Sequence, residues 1–213
     1  MSDDDAAYRR NARNMALILC AIVVTIFAAL FIPPVLNPAH EQFAPNGSAT
    51  SAYGFTINLH MNATTLGQRE AVSITAWLNS TTAQPNNVTA ASAWPIGPNG
   101  LWTRPCTSGW PLGVGVMNGY YTPDNYTQGS LVPIPGPLFS CPVQSQTPSF
   151  FVFQPHGTSA VVGMGSSVSR WDLRSTLTFN PAEVAAARSP GAYTVVAADE
   201  WGDVVLVHFR VSQ

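Results

Sequence analysis

From Met15 to Ile32 the chain reads MALILCAIVVTIFAALFI, 18 residues without a charge. At about 1.5 Å per residue such a helix is ~27 Å long, close to the ~30 Å hydrocarbon thickness of a bilayer. Pro33 and Pro34 stop it, because proline lacks the donor N–H and restricts the residue before it. Val35 and Leu36 carry the apolar stretch into the interface, so the expected span is 15–36. Arg9, Arg10 and Arg13 lie just upstream, whereas the next arginine downstream is Arg69. That bias leaves residues 1–14 in the cytoplasm and places all that follows on the other side. The lipid bilayer is then the expected partner of residues 15–36. A cleaved leader is the rival reading. Its apolar core is normally about 7–15 residues followed by a small-x-small site. Here the run is longer, and at Ala39, the best cleavage point, Leu36 stands badly at −3.

The remaining chain suits an exterior, oxidising compartment. Cys106 and Cys141 form an even pair beyond the span, and the default there is a disulfide worth about 3–4 kcal/mol. Two buried thiols are the alternative. Neither cysteine has a CxxC neighbour, which disfavours redox or zinc chemistry. Asn-x-Ser/Thr triplets at Asn46, Asn62, Asn79, Asn87 and Asn125 are glycosylation candidates, all beyond the span. Only 9% of residues are charged, against about 25% in an ordinary soluble domain. Every basic residue is arginine, the net charge is −2 and no basic run occurs outside the N-terminus, so the sequence shows no phosphate-facing patch. Nucleic-acid binding is set aside.

Residues 37–52 show no period and read as a linker, so the exterior domain is expected over 53–213. Alternation then begins. Phe55, Ile57, Leu59 and Met61 share one face of a strand, and Val72, Ile74, Ala76 and Leu78 share one face of another. Shorter β-rich runs follow around 87–91, 114–121, 150–153, 159–162 and 174–179. Residues 92–148, dense in Pro, Gly and Trp and holding both exterior cysteines, read as an irregular excursion between strands. Asn180-Pro-Ala-Glu183 has the form of a helix start, and the spacing predicts a short helix to Arg188. Two strands over 192–198 and 203–211 flank a tight turn, with Gly202 suited to a left-handed position.

A short helix, Pro190-Gly-Ala-Tyr193, a strand, a tight turn and a last strand: this order resembles the end of immunoglobulin-like and fibronectin-type sandwiches. The resemblance implies an antiparallel β-sandwich in which Tyr193 folds back onto the chain just upstream. Where an antibody-type domain has its second cysteine, this chain has Val195. The family's inter-sheet disulfide is therefore absent. The stretch Pro190–Asp203 (PGAYTVVAADEWGD) is also similar to the C-terminus of a group of membrane-anchored archaeal surface proteins. That likeness implies a lineage and a location, and no activity.

Chemistry is sparse. His40, His60, His156 and His208 show no HxH or HxxH spacing, and no blue-copper loop is present. A chance meeting of His60 and His208 across strands is the only two-histidine site to consider. Asp199, Glu200 and Asp203 are weak candidates for calcium, set against the ordinary use of acidic residues in turns. No GxSxG elbow or dinucleotide loop is present, and few carboxylates remain to pair for glycoside hydrolysis. No catalytic residue and no cofactor are expected. Trp102, Trp110, Tyr120 and Tyr121 form a candidate aromatic interaction surface for a protein or glycan, or else pack the excursion onto the sandwich. The expectation is a non-enzymatic, single-pass exterior module for binding or assembly. The alternatives are an accessory subunit of a membrane complex and a pilin-like filament subunit.

Overall fold

The computed structural model describes residues 41–96, 101–103, 109–134, 147–184 and 189–213, together with Met15, Leu19 and Cys20, which are helical. Apart from those three, the expected span 15–36 and tail 1–14 lie outside the described residues. Among the described residues no helix is long and apolar enough to cross a membrane. Cys106 and Cys141, with their expected disulfide, also lie outside. Met1–Gln42 and Phe43–Gln213 are separate units, and the second is mostly β.

Its described strands form three four-stranded sheets. The first joins β1 (Asn46–Thr50), β2 (Phe55–Met61), β4 (Val72–Ser80) and β10 (Arg174–Phe179) in that order. The second joins β3 (Thr65–Leu66), β12 (Val204–Val211), β11 (Gly191–Asp199) and β6 (Leu112–Asn118). The third joins β5 (Asn86–Thr89), β7 (Phe150–Phe153), β8 (Ser159–Met164) and β9 (Ser167–Asp172). All neighbours are antiparallel except β3, which runs parallel to β12.

Two-residue alternation builds the core. Phe55, Ile57, Leu59 and Met61 of β2 are buried, as are Val72, Ile74, Ala76 and Leu78 of β4. They meet Leu112, Val114 and Val116 of β6, Tyr193, Val195 and Ala197 of β11, and Val205, Val207 and Phe209 of β12 in one cluster. The first and second sheets thus bury their inner faces together, each strand giving every second side chain. The third sheet adds Val88, Phe151, Phe153, Ala160 and Val162 to the same cluster. The chain passes from it to the first sheet at Leu173, fully buried between β9 and β10. The Leu173 N–H donates to the Thr158 carbonyl, and its own carbonyl accepts from Leu78.

Three expectations need correction. Residues 46–50, read as linker, are an edge strand paired with β2 from Asn46 opposite His60 to Thr50 opposite Thr56. Its alternating small and polar residues gave no apolar period to read. The helix expected up to Arg188 is, in its described part, a single 3₁₀ turn at Pro181–Glu183. The Asn180 side chain caps it by accepting from Ala182, as the start signal implied, and residues 185–188 lie outside the described residues. The excursion 92–148 is not one loop, because its middle is β6, hydrogen-bonded along the length of β11.

The described flanks of β6 have a structural task. On the outer face of the second sheet, Met117, Val196 and Ala198 are buried with Leu101, and Trp94, Ile96, Tyr121, Leu131, Val204 and Leu206 pack against them. Gly113 and Gly115 make room for this second apolar layer. A Cβ on Gly115 would lie 2.5 Å from Leu131 Cδ2, and one on Gly113 2.8 Å from Leu101 Cβ.

Candidate functional site

The most unusual chemistry lies where the last hairpin turns. Asp199 closes on Asp203 through its backbone N–H, leaving a three-residue connection of Glu200, Trp201 and Gly202. Gly202 takes φ +105°, the left-handed position expected of it. Asp199 shares the inward side of β11 with Tyr193, Val195 and Ala197, so its carboxylate enters the core end rather than solvent. Its Oδ1 accepts from the N–H groups of Trp201 and Asp203, both at 3.0 Å. Its Oδ2 is buried and, among the described residues, has no hydrogen-bond partner. Glu200 turns the other way. Its Oε1 accepts from the Ala91 N–H at 3.1 Å, while its backbone bonds Pro111 and Ala93.

Burial decides the protonation of both groups. It pushes each carboxyl up to about 7, against the lowering effect of the backbone hydrogen bonds. Asp203 repels Asp199, and Asp199 in turn repels Glu200. The ordinary use of acidic residues in turns accounts for Asp199, whose Oδ1 makes such local bonds, while the burial of both carboxyls carried no signal in the sequence. A weak calcium site at Asp199, Glu200 and Asp203 gains no support: among the described residues no group of three or more His, Cys, Asp or Glu could hold a metal ion.

Trp201, the residue that follows Glu200, plugs the junction of all three sheets. Its ring lies 5.1 Å from Phe55 and 5.3 Å from Phe151, both edge-on, and its Nε1–H donates to the Thr89 carbonyl at 2.8 Å. Phe55 stacks on Phe153 at 4.8 Å. Nothing in the sequence spacing of 55, 151, 153 and 201 announces this cluster, because it is assembled across sheets.

The four aromatics proposed as one surface are separated in use. Trp110 is buried, stacked on Trp171 at 5.3 Å, and its Nε1–H donates to Ser175 Oγ at 2.9 Å. It leaves the surface. Trp102 is half-buried against the main core, bridged by backbone hydrogen bonds to Val114. Tyr121 belongs to the second apolar layer. Tyr120 stacks on His208 at 4.0 Å, and His208 Nε2 donates to the Tyr121 carbonyl at 2.7 Å, which assigns its proton to that nitrogen. Beside them Arg210 lies over the Phe43 ring at 5.0 Å.

His60 and His208 do not meet. His60 stands on the outer face of the first sheet with Nδ1 2.6 Å from Asn46 Oδ1, whereas His208 stands on the outer face of the second. Apart from Trp77, that first-sheet face is polar. Ser48, Thr50, His60, Arg174, Thr176 and Thr178 are exposed on it around a half-buried Trp77. No protein-family model matches the chain, and no curated protein matches it in sequence.

Proposed function

We propose that the chain is a single-pass, membrane-anchored exterior module, non-enzymatic, that works by binding or assembly. The observation that carries this reading is the uncharged stretch Met15–Ile32 behind Arg9, Arg10 and Arg13. The exterior part is an immunoglobulin-like sandwich. Strands β2, β4 and β10 take the places of A, B and E, against β6, β11 and β12 in the places of C, F and G. Tyr193, near the start of the F-like strand, donates to the Ser189 carbonyl, which supports the same assignment. The acidic hairpin uses Asp199 Oδ1 and Glu200 Oε1 to hold backbone amides, a structural employment of charge. Among the described residues, the first sheet's exposed hydroxyl-, amide- and arginine-bearing face is a surface open to contact.

Alkaline carbonate washing tests the anchor. The full chain should stay with the membranes, and a 43–213 fragment bearing an export leader should leave them with the same circular dichroism per residue of its β part. A full chain released by the wash would overturn the reading.

A further inference from the structure

Three of the five Asn-x-Ser/Thr triplets fall on, or at the end of, strands whose outer face is the exposed side of the first sheet. Asn46 lies opposite His60, Asn79 opposite Thr56, and Asn62 directly follows β2. They are not equivalent. Asn46 Oδ1 is held by His60, Asn62 Oδ1 accepts from the Ser73 N–H, and Asn125 Oδ1 accepts from Thr122. The Asn79 and Asn87 side-chain amides make no hydrogen bond among the described residues, and Thr81, the hydroxyl residue of the Asn79 triplet, is exposed.

Asn79 also has a neighbour that the other four lack. Trp77 precedes it by two residues, and none of the others has an indole or phenyl ring at that spacing. In a strand, residues i and i+2 point to the same side about 7 Å apart. Trp77 sits between Asn58 of β2 and Arg174 of β10, half-buried, with no ring contact or hydrogen bond among the described residues. It is an apolar plate in a field of hydroxyls and amides. A pyranose offers the matching surface. Its axial C–H bonds form a weakly positive apolar face that fits the negative face of an indole, while its hydroxyls suit polar neighbours.

We propose that Asn79 carries an N-linked glycan whose first sugar packs its C–H face onto the Trp77 indole. The modification is a group transfer from a polyprenyl-phosphate-linked oligosaccharide. The anomeric carbon–oxygen bond to phosphate breaks, the phosphate leaves with the bonding pair, and the anomeric carbon bonds Asn79 Nδ2, which gives up one proton. The proposal rests on the exterior placement of residues 43–213.

The test uses the full chain made in its own host. Peptide mass mapping should find sugar on Asn79, lost in Thr81→Ala. That substitution should lower the thermal midpoint by about 2–4 °C and shift tryptophan emission. In a Trp77→Ala background, Thr81→Ala should change neither, and Trp77→Phe should restore part of the difference without emptying the outer face. An unmodified Asn79 overturns the proposal. A modified Asn79 whose loss costs the same with and without Trp77 overturns the stacking. Protease treatment of the same intact cells reads the exterior placement separately, so a digested C-terminal unit with a bare Asn79 sinks this proposal alone.

Discussion

Tyr193 donates its phenolic hydrogen bond to the carbonyl of Ser189, four residues upstream, at 2.7 Å, while its ring is fully buried against Phe209 at 5.3 Å. The tyrosine thereby ties the start of β11 to the connection that brings the chain over from the first sheet. Tyr193→Phe keeps the ring stack and leaves the hydrogen bond unmade. It should cost about 1–2 kcal/mol in urea unfolding with an unchanged slope. Tyr193→Leu should cost more, because the stack goes as well.

The hairpin acids predict an unusual pH dependence. Their folded pKa values are raised to about 7, above those of the unfolded chain. Across roughly pH 4–7 the folded protein therefore holds protons that the unfolded chain has released, and stability falls as pH rises through that window. Below it the contribution is constant and favourable; above it the loss is complete. Asn in place of Asp199 preserves the acceptor for Trp201 and Asp203 but cannot ionise. Asp199→Asn should flatten the profile and gain on the order of 1–2 kcal/mol at pH 8 relative to pH 5, read from urea midpoints at each pH.

Gly115 tests the second apolar layer. A Cβ there would lie 2.5 Å from Leu131 Cδ2 and 3.1 Å from Leu101 Cδ2, so a valine forces both leucine side chains to shift. Gly115→Val should destabilise by about 1–3 kcal/mol, and limited proteolysis should cut the Leu101–Leu131 region before any other part of the 43–213 unit. Simultaneous Leu131→Ala should recover part of the loss.

The sequence made strands legible where one face was buried and the other solvated. The alternation in β2 and β4 named the buried residues one by one, Gly202 was readable from local backbone chemistry, and Tyr193 came from the resemblance to immunoglobulin-like sandwiches. Strand β1 escaped because Asn46-Gly-Ser-Ala-Thr50 contributes no large apolar side chain. The β-rich run at 114–121 signals strand β6, yet the run reads as part of the supposed excursion because its outer side is covered too. Leu112, Val114 and Val116 face one core while Gly113, Gly115 and Met117 face another, so no polar alternation survives. Trp110 left the proposed aromatic surface because it packs into the main core against Trp171, as the alternative reading of these aromatics allowed. The burial of Asp199 and Glu200 was not legible for a different reason: a tight acidic turn shows its local hydrogen bonding in sequence, but its packing beside Ala91 and Pro111 is set by distant parts of the chain.

Protease digestion of intact cells addresses the topology most directly. With residues 1–14 inside and the Phe43–Gln213 unit outside, a broad-specificity protease added to whole cells should remove a C-terminal epitope tag while an N-terminal tag survives until the cells are opened. A C-terminal tag protected in intact cells and lost only after permeabilisation would contradict the account.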